Sequence, residues 1–362
     1  MASTESSNNN GRVAGVATWV HKHVLWLLIG CYLLAAVVPK VGLMLRDLSF
    51  RPPSGNVVHA PMLLLAIMLF CAAAVIQWSE VRSLLQKPSL LVLGLLAAWL
   101  GPAVLVVSLG IVLPRFAGAE ATAGMMVGLA LVAAMPVANS SVAWSQNAGG
   151  NVALGLGLIV LSIVLSPLAT PQLLSLLGFA LSAEDTAKIE RVVTQFSGLK
   201  FIVWVVLPSF AGAAAAWWAG PERIARAKSW IRLATLTCLL LLNYTNASLA
   251  MPEIVREQTA RSIALPALLA VTISVLGVLL AAAISRLYRL TDSSRTALLF
   301  GMSMKHTGLA LVLAGEVLRE DARVLMMIML ATLLQHVVAA VVDWRLQRTE
   351  ARASVESEAA TR

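Results

Sequence analysis

One lysine lies inside an apolar stretch long enough to cross a membrane, and its charge is the strongest chemical signal in the chain. Lys305 follows Gly301-Met-Ser-Met and precedes His306, Thr307 and a further apolar run. An ammonium group at the centre of a bilayer costs about 2.5–3.5 kcal/mol on insertion scales. A lysine that extends from a helix end to the membrane surface is the simple alternative. The small and polar residues around Lys305 instead favour a helix interrupted inside the membrane.

A second apolar run is interrupted in the same way, between residues 134 and 147, by Pro136 and several polar residues. A broken membrane helix leaves backbone N–H and C=O groups that lipid cannot satisfy, so they must face protein, water or a ligand. Half-helix N-termini attract anions and half-helix C-termini attract cations. Two breaks that meet near the midplane would therefore form an ion and substrate site. The candidate residues are Asn139, Ser140, Ser141, Lys305, His306 and Thr307, with Asn243 and Asn246 of a later apolar run as a second polar cluster.

Each candidate also has a purely structural interpretation. Hydroxyl groups in membrane helices commonly bond to the preceding turn. Asparagines can join neighbouring helices, and a buried histidine is often a satisfied core residue. The second cluster faces either the same cavity or only a neighbouring helix. The sequence leaves these interpretations open.

The composition is that of a polytopic membrane protein. Of the 362 residues, 59% are hydrophobic and 12% are charged, which excludes an ordinary soluble globule. The net charge of +9 comes from basic residues in short loops between apolar runs, so it indicates contact with membrane lipid and not with nucleic acid. Cys31, Cys71 and Cys238 lie inside apolar runs without CxxC spacing, so we predict neither a metal site nor another cofactor.

The apolar runs predict an all-α membrane protein of about ten transmembrane helices. We predict a polar N-terminal tail over 1–23, a transmembrane transporter domain over 24–344 and a charged C-terminal tail over 345–362. Lys and Arg are more frequent on the side that holds both termini, which predicts cytoplasmic termini and insertion in the cell inner membrane. The predicted spans are 24–38, 60–78, 89–112, 123–146, 152–177, 201–218, 230–251, 263–287, 296–318 and 323–344.

The two interrupted runs occupy corresponding places, helix four and helix nine of the predicted ten. At a constant offset, Met135 aligns with Met302 and Asn139 aligns with His306. Matched interruptions of this kind predict two five-helix repeats, which in transporters commonly run in inverted orientation.

The residues around these breaks resemble a known family, the bile acid:sodium symporters. The segment 136–156, with its Gly150-Asn turn, and the later Ser166-Pro pair resemble that family's broken helix four and its helix five. The segment around Lys305 resembles its helix nine. The chain is identified as a divergent, bacterial-type member of the family. The resemblance implies inverted repeats with helices four and nine crossing, and secondary active transport of a small or amphipathic organic anion.

The chain departs from that family where sodium is bound. Sodium-dependent members place a carboxylate at the position of Gly301, a glutamine at that of Lys305 and a side-chain amide near Ala98. Their second sodium uses oxygen ligands at four positions, of which only one keeps an oxygen here. A hard cation needs several oxygen ligands. The resemblance therefore implies sodium-independent or proton-linked transport, in which Lys305 replaces the ion or changes its protonation. The four positions are Ser141, Val142, Gly155 and Ile159.

Other functions have less support in the sequence. A cation/proton antiporter would need an intramembrane carboxylate, and Glu80, Glu316 and Asp343 all lie toward the ends of apolar runs. A receptor that binds an aldehyde ligand on Lys305 would need a counter-ion. The chain has no HExxH, GxSxG or phosphate-binding GxxxxGK[ST] pattern, so we predict that it is not an enzyme. The sequence predicts neither the substrate's identity, nor the direction of transport, nor the oligomeric state.

Overall fold

The structure is a computed structural model that describes residues 13–20, 23–50, 58–75, 88–118, 122–196, 202–256 and 260–360. The described residues are almost entirely helical, with one antiparallel pair of two-residue strands, β1 (Ser49–Phe50) and β2 (Val58–His59). The helices are α1 (Val13–Val20), α2 (Val24–Val37), α3 (Pro39–Asp47), α4 (Ala60–Ala74), α5 (Pro88–Ala117), α6 (Met125–Ala134), α7 (Ser140–Asn147), α8 (Val152–Gly178), α9 (Ala183–Phe196), α10 (Leu207–Ala219, after a π-helical turn at Ile202–Val206), α11 (Pro221–Arg256), α12 (Ala260–Leu287), α13 (Asp292–Ser303), α14 (Thr307–Val317) and α15 (Ala322–Ala360).

The fold is an all-α membrane protein, as the sequence predicts. Among the described residues, six helical segments are long and apolar enough to cross a membrane, and a seventh is gained if the bent pair α1–α2 is one span. Three shorter apolar helices, α4, α6 and α14, accompany them. The described part of each of the ten predicted runs lies in a helix or in two consecutive helical segments, and a count of ten spans stays a prediction.

The structure describes little of the predicted N-terminal tail but most of the predicted C-terminal tail. Most of the predicted N-terminal tail, residues 1–12 and 21–22, lies outside the described residues. At the other end, α15 continues past the last predicted span as far as Ala360. The predicted domain boundaries stay predictions.

Both interruptions are breaks in helices, and the local sequence explains the first of them. Proline disfavours the helical conformation of the residue before it. Met135, directly before Pro136, accordingly adopts an extended backbone, and α6 ends at Ala134. The second break follows Ser303, where Met304 is also extended.

The broken helices form the centre of the bundle. All ten residues of α6 are buried, as are α13 from Thr296 to Ser303 and α14 from Thr307 to Gly315. Helices α5, α8, α12 and α15 pack around them. Large exposed apolar side chains lie on the outer helices instead, at positions such as Leu168 and Trp218. The unpaired backbone at the breaks is therefore shielded from lipid by protein.

A group of charged residues joins α9 to the loops that precede α6 and α15. The Lys188 ammonium lies 2.8 Å from Asp321 Oδ2, 2.9 Å from Glu184 Oε1 and 3.7 Å from Asp185 Oδ1. The Asp185 carboxylate also accepts the backbone N–H of Gly124 at 3.0 Å. Burial lowers the pKa of Lys188, but the three carboxylates outweigh burial and raise this pKa above its usual value of 10.5.

This network predicts an alkaline loss of stability. A lysine whose pKa is higher in the folded state stabilises that state below its unfolded pKa, and the contribution disappears as the pH rises through the folded pKa. We expect Lys188→Gln to lower stability by about 2 kcal/mol at pH 7, the scale of charge-assisted hydrogen bonds, and by less above pH 10.5. Melting curves of both proteins across this pH range measure the difference. If the difference in stability between the wild-type protein and Lys188→Gln stays constant up to strongly alkaline pH, the stabilising role of the Lys188 ammonium is contradicted.

Candidate functional site

The two breaks meet and pair with each other. Their extended backbones form an isolated antiparallel bridge. The His306 N–H donates to the Pro136 carbonyl at 2.9 Å, and the Ala138 N–H donates to the Met304 carbonyl at 3.1 Å. Backbone groups that the breaks remove from their helices are therefore satisfied across the crossing. The ends of four half-helices converge there: the C-termini of α6 and α13, and the N-termini of α7 and α14.

The Lys305 side chain is 4% exposed and ends between backbone carbonyls. Its Nζ donates to the carbonyl oxygens of Ala98 and Met135, the latter at 3.3 Å. Proline has no N–H, so Pro102 leaves the Ala98 carbonyl without its usual helical partner. Met135 terminates α6, and its carbonyl also accepts from the Trp99 indole at 3.2 Å. The ammonium group therefore lies where carbonyl dipoles from α5 and from the C-terminus of α6 converge, an arrangement suited to a cation.

At two positions where the resemblance implies sodium ligands in related proteins, Gly301 and Gly155, neighbouring apolar side chains occupy the space beside the glycine. A Cβ added at Gly301 would lie 3.0 Å from Cδ1 of Leu158, and a Cβ added at Gly155 would lie 3.1 Å from Cγ2 of Val142. Among the described residues, Lys305 forms no ion pair with a carboxylate. Within this part of the chain, the groups that stabilise its charge are backbone carbonyl dipoles.

Gln335 of α15 holds the break in place and is not among the residues predicted from the sequence. Its Oε1 accepts the backbone N–H of Lys305 at 2.9 Å, and its Nε2 donates to Thr307 Oγ1 at 3.2 Å. Gln335 and its neighbour His336 are polar residues inside an apolar run, and this pattern is the signal that could have found them.

His306 caps α14 and has one free nitrogen. Its Nδ1 accepts the N–H of Leu309 at 3.1 Å, so in the neutral ring the proton is carried by Nε2. That Nε2 is buried and has no hydrogen-bond partner among the described residues. The same holds for both polar atoms of the Asn139 side chain. Buried polar groups are normally hydrogen-bonded, so three unpaired atoms at one crossing mark a place for a polar ligand.

A cavity of about 550 Å³ adjoins the crossing. Five of the predicted residues line it: Asn139, Ser140, Lys305, His306 and Thr307. The lining also includes residues outside the predicted set, among them Thr332, Gln335, His336 and two basic residues of α11, Lys228 and Arg232. No aspartate or glutamate is among the described residues of the lining.

The other three predicted residues are not part of this lining, and their role in a binding site stays a prediction. Ser141 is buried, but it is not among the described residues around the cavity. The Asn243 amide accepts a hydrogen bond from the Tyr32 hydroxyl at 3.1 Å, which ties α11 to α2. The Asn246 amide accepts from Arg46 Nη1 at 2.8 Å, which ties α11 to α3. For both asparagines, the interpretation as contacts between helices is the one that the structure favours.

Comparisons with known proteins agree with this architecture. The sequence model of the SBF-like CPA transporter family matches residues 22–349, a range that contains both breaks and the whole cavity. The chain is also similar to the uncharacterized protein YbaS of Bacillus subtilis strain 168, with 31% identity over 229 residues. That alignment covers 62% of this chain and 70% of the relative. The match over nearly the whole chain shows that this protein belongs to the SBF-like CPA transporter family.

Proposed function

We propose that this membrane transporter is a sodium-independent secondary carrier of a small or amphipathic organic anion, with the Lys305 ammonium in the place of a coupling ion. The observation that carries the proposal is the buried Lys305 side chain, which donates to the carbonyls of Ala98 and Met135 beside a cavity. A tethered cation at that position supplies the charge that a bound metal ion would otherwise supply. In a variant of this proposal, transport is coupled to protons, and Lys305 gains and loses the coupling proton.

The electrostatics of the cavity favour an anion. Helices α7 and α14 begin at the crossing, and their first residues, Ser140 and Thr307, line the cavity. Helix N-termini carry partial positive charge and bind negatively charged groups. Lys228 and Arg232 add two formal positive charges. A cation/proton antiporter is less well supported, because no carboxylate is among the described residues of the lining.

The proposed inverted repeat has support in the direction of the pairing at the crossing. Val137 and Lys305, one from each break, form an antiparallel bridge. Corresponding segments of two inverted repeats run in opposite directions where they meet, so the antiparallel direction is the one that such repeats require.

The proposal includes an orientation in the cell inner membrane with both termini in the cytoplasm. Asn147 and Lys228 are exposed and line the cavity near the helix ends that share a side with the termini in a ten-span topology. With that orientation, the conformation is open toward the cytoplasm.

Ligand binding in two salts tests the proposal. Purified protein would be melted with a panel of organic carboxylates and sulfonates, in sodium or choline chloride at equal ionic strength. A ligand at 100 times its Kd stabilises the folded state by about 2.7 kcal/mol. We expect at least one anion to raise the melting temperature equally in both salts, and the best binder to enter proteoliposomes equally fast in both. A shift that requires sodium, or no anion that binds, would contradict the proposal.

A further inference from the structure

Helix α11 contributes a single stripe of residues to the cavity wall. The stripe, which we call the α11 stripe, consists of Lys228, Ile231, Arg232, Thr235, Leu236 and Leu239. Their spacing of three and four residues places them on one face of a helix. The stripe is basic at its N-terminal end and apolar toward Leu239. The stripe therefore presents a charged end and an apolar end to a ligand in the cavity.

The basic end has no acidic partner among the described residues. Neither Lys228 nor Arg232 forms an ion pair there, and no described carboxylate lines the cavity. Arg232 is only partly exposed, so its guanidinium has lost part of its hydration. A planar guanidinium binds carboxylates and sulfonates through paired hydrogen bonds. The Lys305 ammonium is less suited to the same acid group, because it already donates to two carbonyls.

The other end of the stripe reaches the crossing. A Cβ added at Gly308, in the first turn of α14, would lie 3.3 Å from Leu242 on the next turn of α11. Leu239 lies seven positions after Arg232, which corresponds to about 10 Å along a helix. A Cβ at Gly308 would also lie 3.7 Å from Cε1 of His306, so the histidine ring with its unpaired Nε2 lies at this far end. Asn139, whose amide is also unpaired, precedes α7 at the same crossing and lines the cavity. The cavity thus offers cations, then an apolar wall, then hydrogen-bonding groups.

We infer that Arg232, assisted by Lys228, binds the acidic head group of the substrate, and that His306 and Asn139 bind a polar group at the far end of an apolar body about 10 Å or more in length. This inference rests on the proposed function and specifies its substrate class: an amphipathic anion with a hydroxyl, carbonyl or amide at the end opposite its acid. The charged head lies toward the exposed Lys228, and the uncharged end lies at the crossing.

A matched pair of probes tests the assignment. Omega-hydroxydecanesulfonate carries a permanent charge, an apolar chain of suitable length and a terminal hydroxyl, and decanediol has an uncharged hydroxyl in place of the sulfonate. Calorimetric titration of the protein in lipid nanodiscs would measure both affinities. We expect the wild-type protein to prefer the sulfonate, and Arg232→Gln to reduce that preference about tenfold or more, since each tenfold corresponds to about 1.4 kcal/mol. Affinity for the diol should remain unchanged.

Arg226→Gln is the control, because Arg226 is exposed on the same helix and is not among the residues that line the cavity. It should keep the full preference for the sulfonate. If Arg232→Gln also keeps that preference, the head-group assignment is overturned while the proposed transport of anions stands. If the wild-type protein binds the diol as tightly as the sulfonate, the assignment is overturned as well. If no anion of the wider panel binds, the proposed function itself fails.

Discussion

Lys305→Ala should reduce anion uptake on the order of 100-fold while leaving the protein folded. The substitution removes an ammonium that donates to the carbonyls of Ala98 and Met135, and with it the fixed charge at the crossing. A loss of 100-fold corresponds to about 2.8 kcal/mol, within the range expected for charge-assisted hydrogen bonds in a buried site. The measurement is the initial rate of uptake into proteoliposomes, with melting curves to show that the variant is folded.

The salt dependence of this variant separates the two roles proposed for Lys305. If the ammonium replaces an ion, sodium should restore part of the uptake of Lys305→Ala. If Lys305 carries a proton, sodium should have no effect, and the variant should lose the pH dependence of the wild-type protein. Lys40→Ala, which removes an exposed lysine from α3, is the control and should transport normally. Full uptake by Lys305→Ala without added sodium would contradict both roles.

Gly277→Ala should disrupt the crossing through backbone contact. Helix α12 passes so close to the second break that a Cβ at Gly277 would lie 2.3 Å from the Met302 carbonyl oxygen and 2.7 Å from the Ser303 Cα. Backbone atoms cannot yield as a flexible side chain does, so the helix or the break must move. Overpacking of this kind costs about 1–3 kcal/mol and occasionally more. We expect a lower melting temperature and little remaining uptake.

Gly30→Ala is the matched control for this prediction. Gly30 also lies within a helix, α2, and a Cβ there would meet nothing within 4 Å. Alanine is a better helix former than glycine by about 1 kcal/mol, so this variant should be as stable as the wild-type protein or slightly more so. Equal stability and uptake for both alanine variants would show that α12 does not approach the break as closely as described.

The helices and the breaks could be predicted because their signals are local. Apolar runs of membrane length specify helices, and Pro136 ends one of them through its effect on the residue before it. The interruption around Lys305 is visible as small and polar residues in an apolar run. Whether the two breaks pair is not a local property. The matched positions in the two halves suggested it, and the hydrogen bonds between them give the register.

The contacts of single side chains could be predicted only in part. Asn243 and Asn246 resemble site residues in sequence, but Tyr32 and Arg46 from distant helices satisfy them. Pro102 leaves the Ala98 carbonyl without its helical partner, and this can be predicted because proline has no N–H. Nothing in the sequence indicates that this carbonyl faces Lys305. The α11 stripe was missed because its basic residues lie among the charged residues at the start of an apolar run, where a loop role is the simpler interpretation. Such contacts depend on the rotation of one helix against another.

Binding of radiolabelled sodium to the purified protein tests the central claim most directly, namely that the Lys305 ammonium stands where a diffusible cation would otherwise be bound. The measurement compares native with heat-denatured protein as sodium is raised to physiological concentration, with and without a bound anion. We predict no saturable binding to the native protein in either case. Saturable binding of sodium to the wild-type protein, strengthened by the anion, would contradict this account.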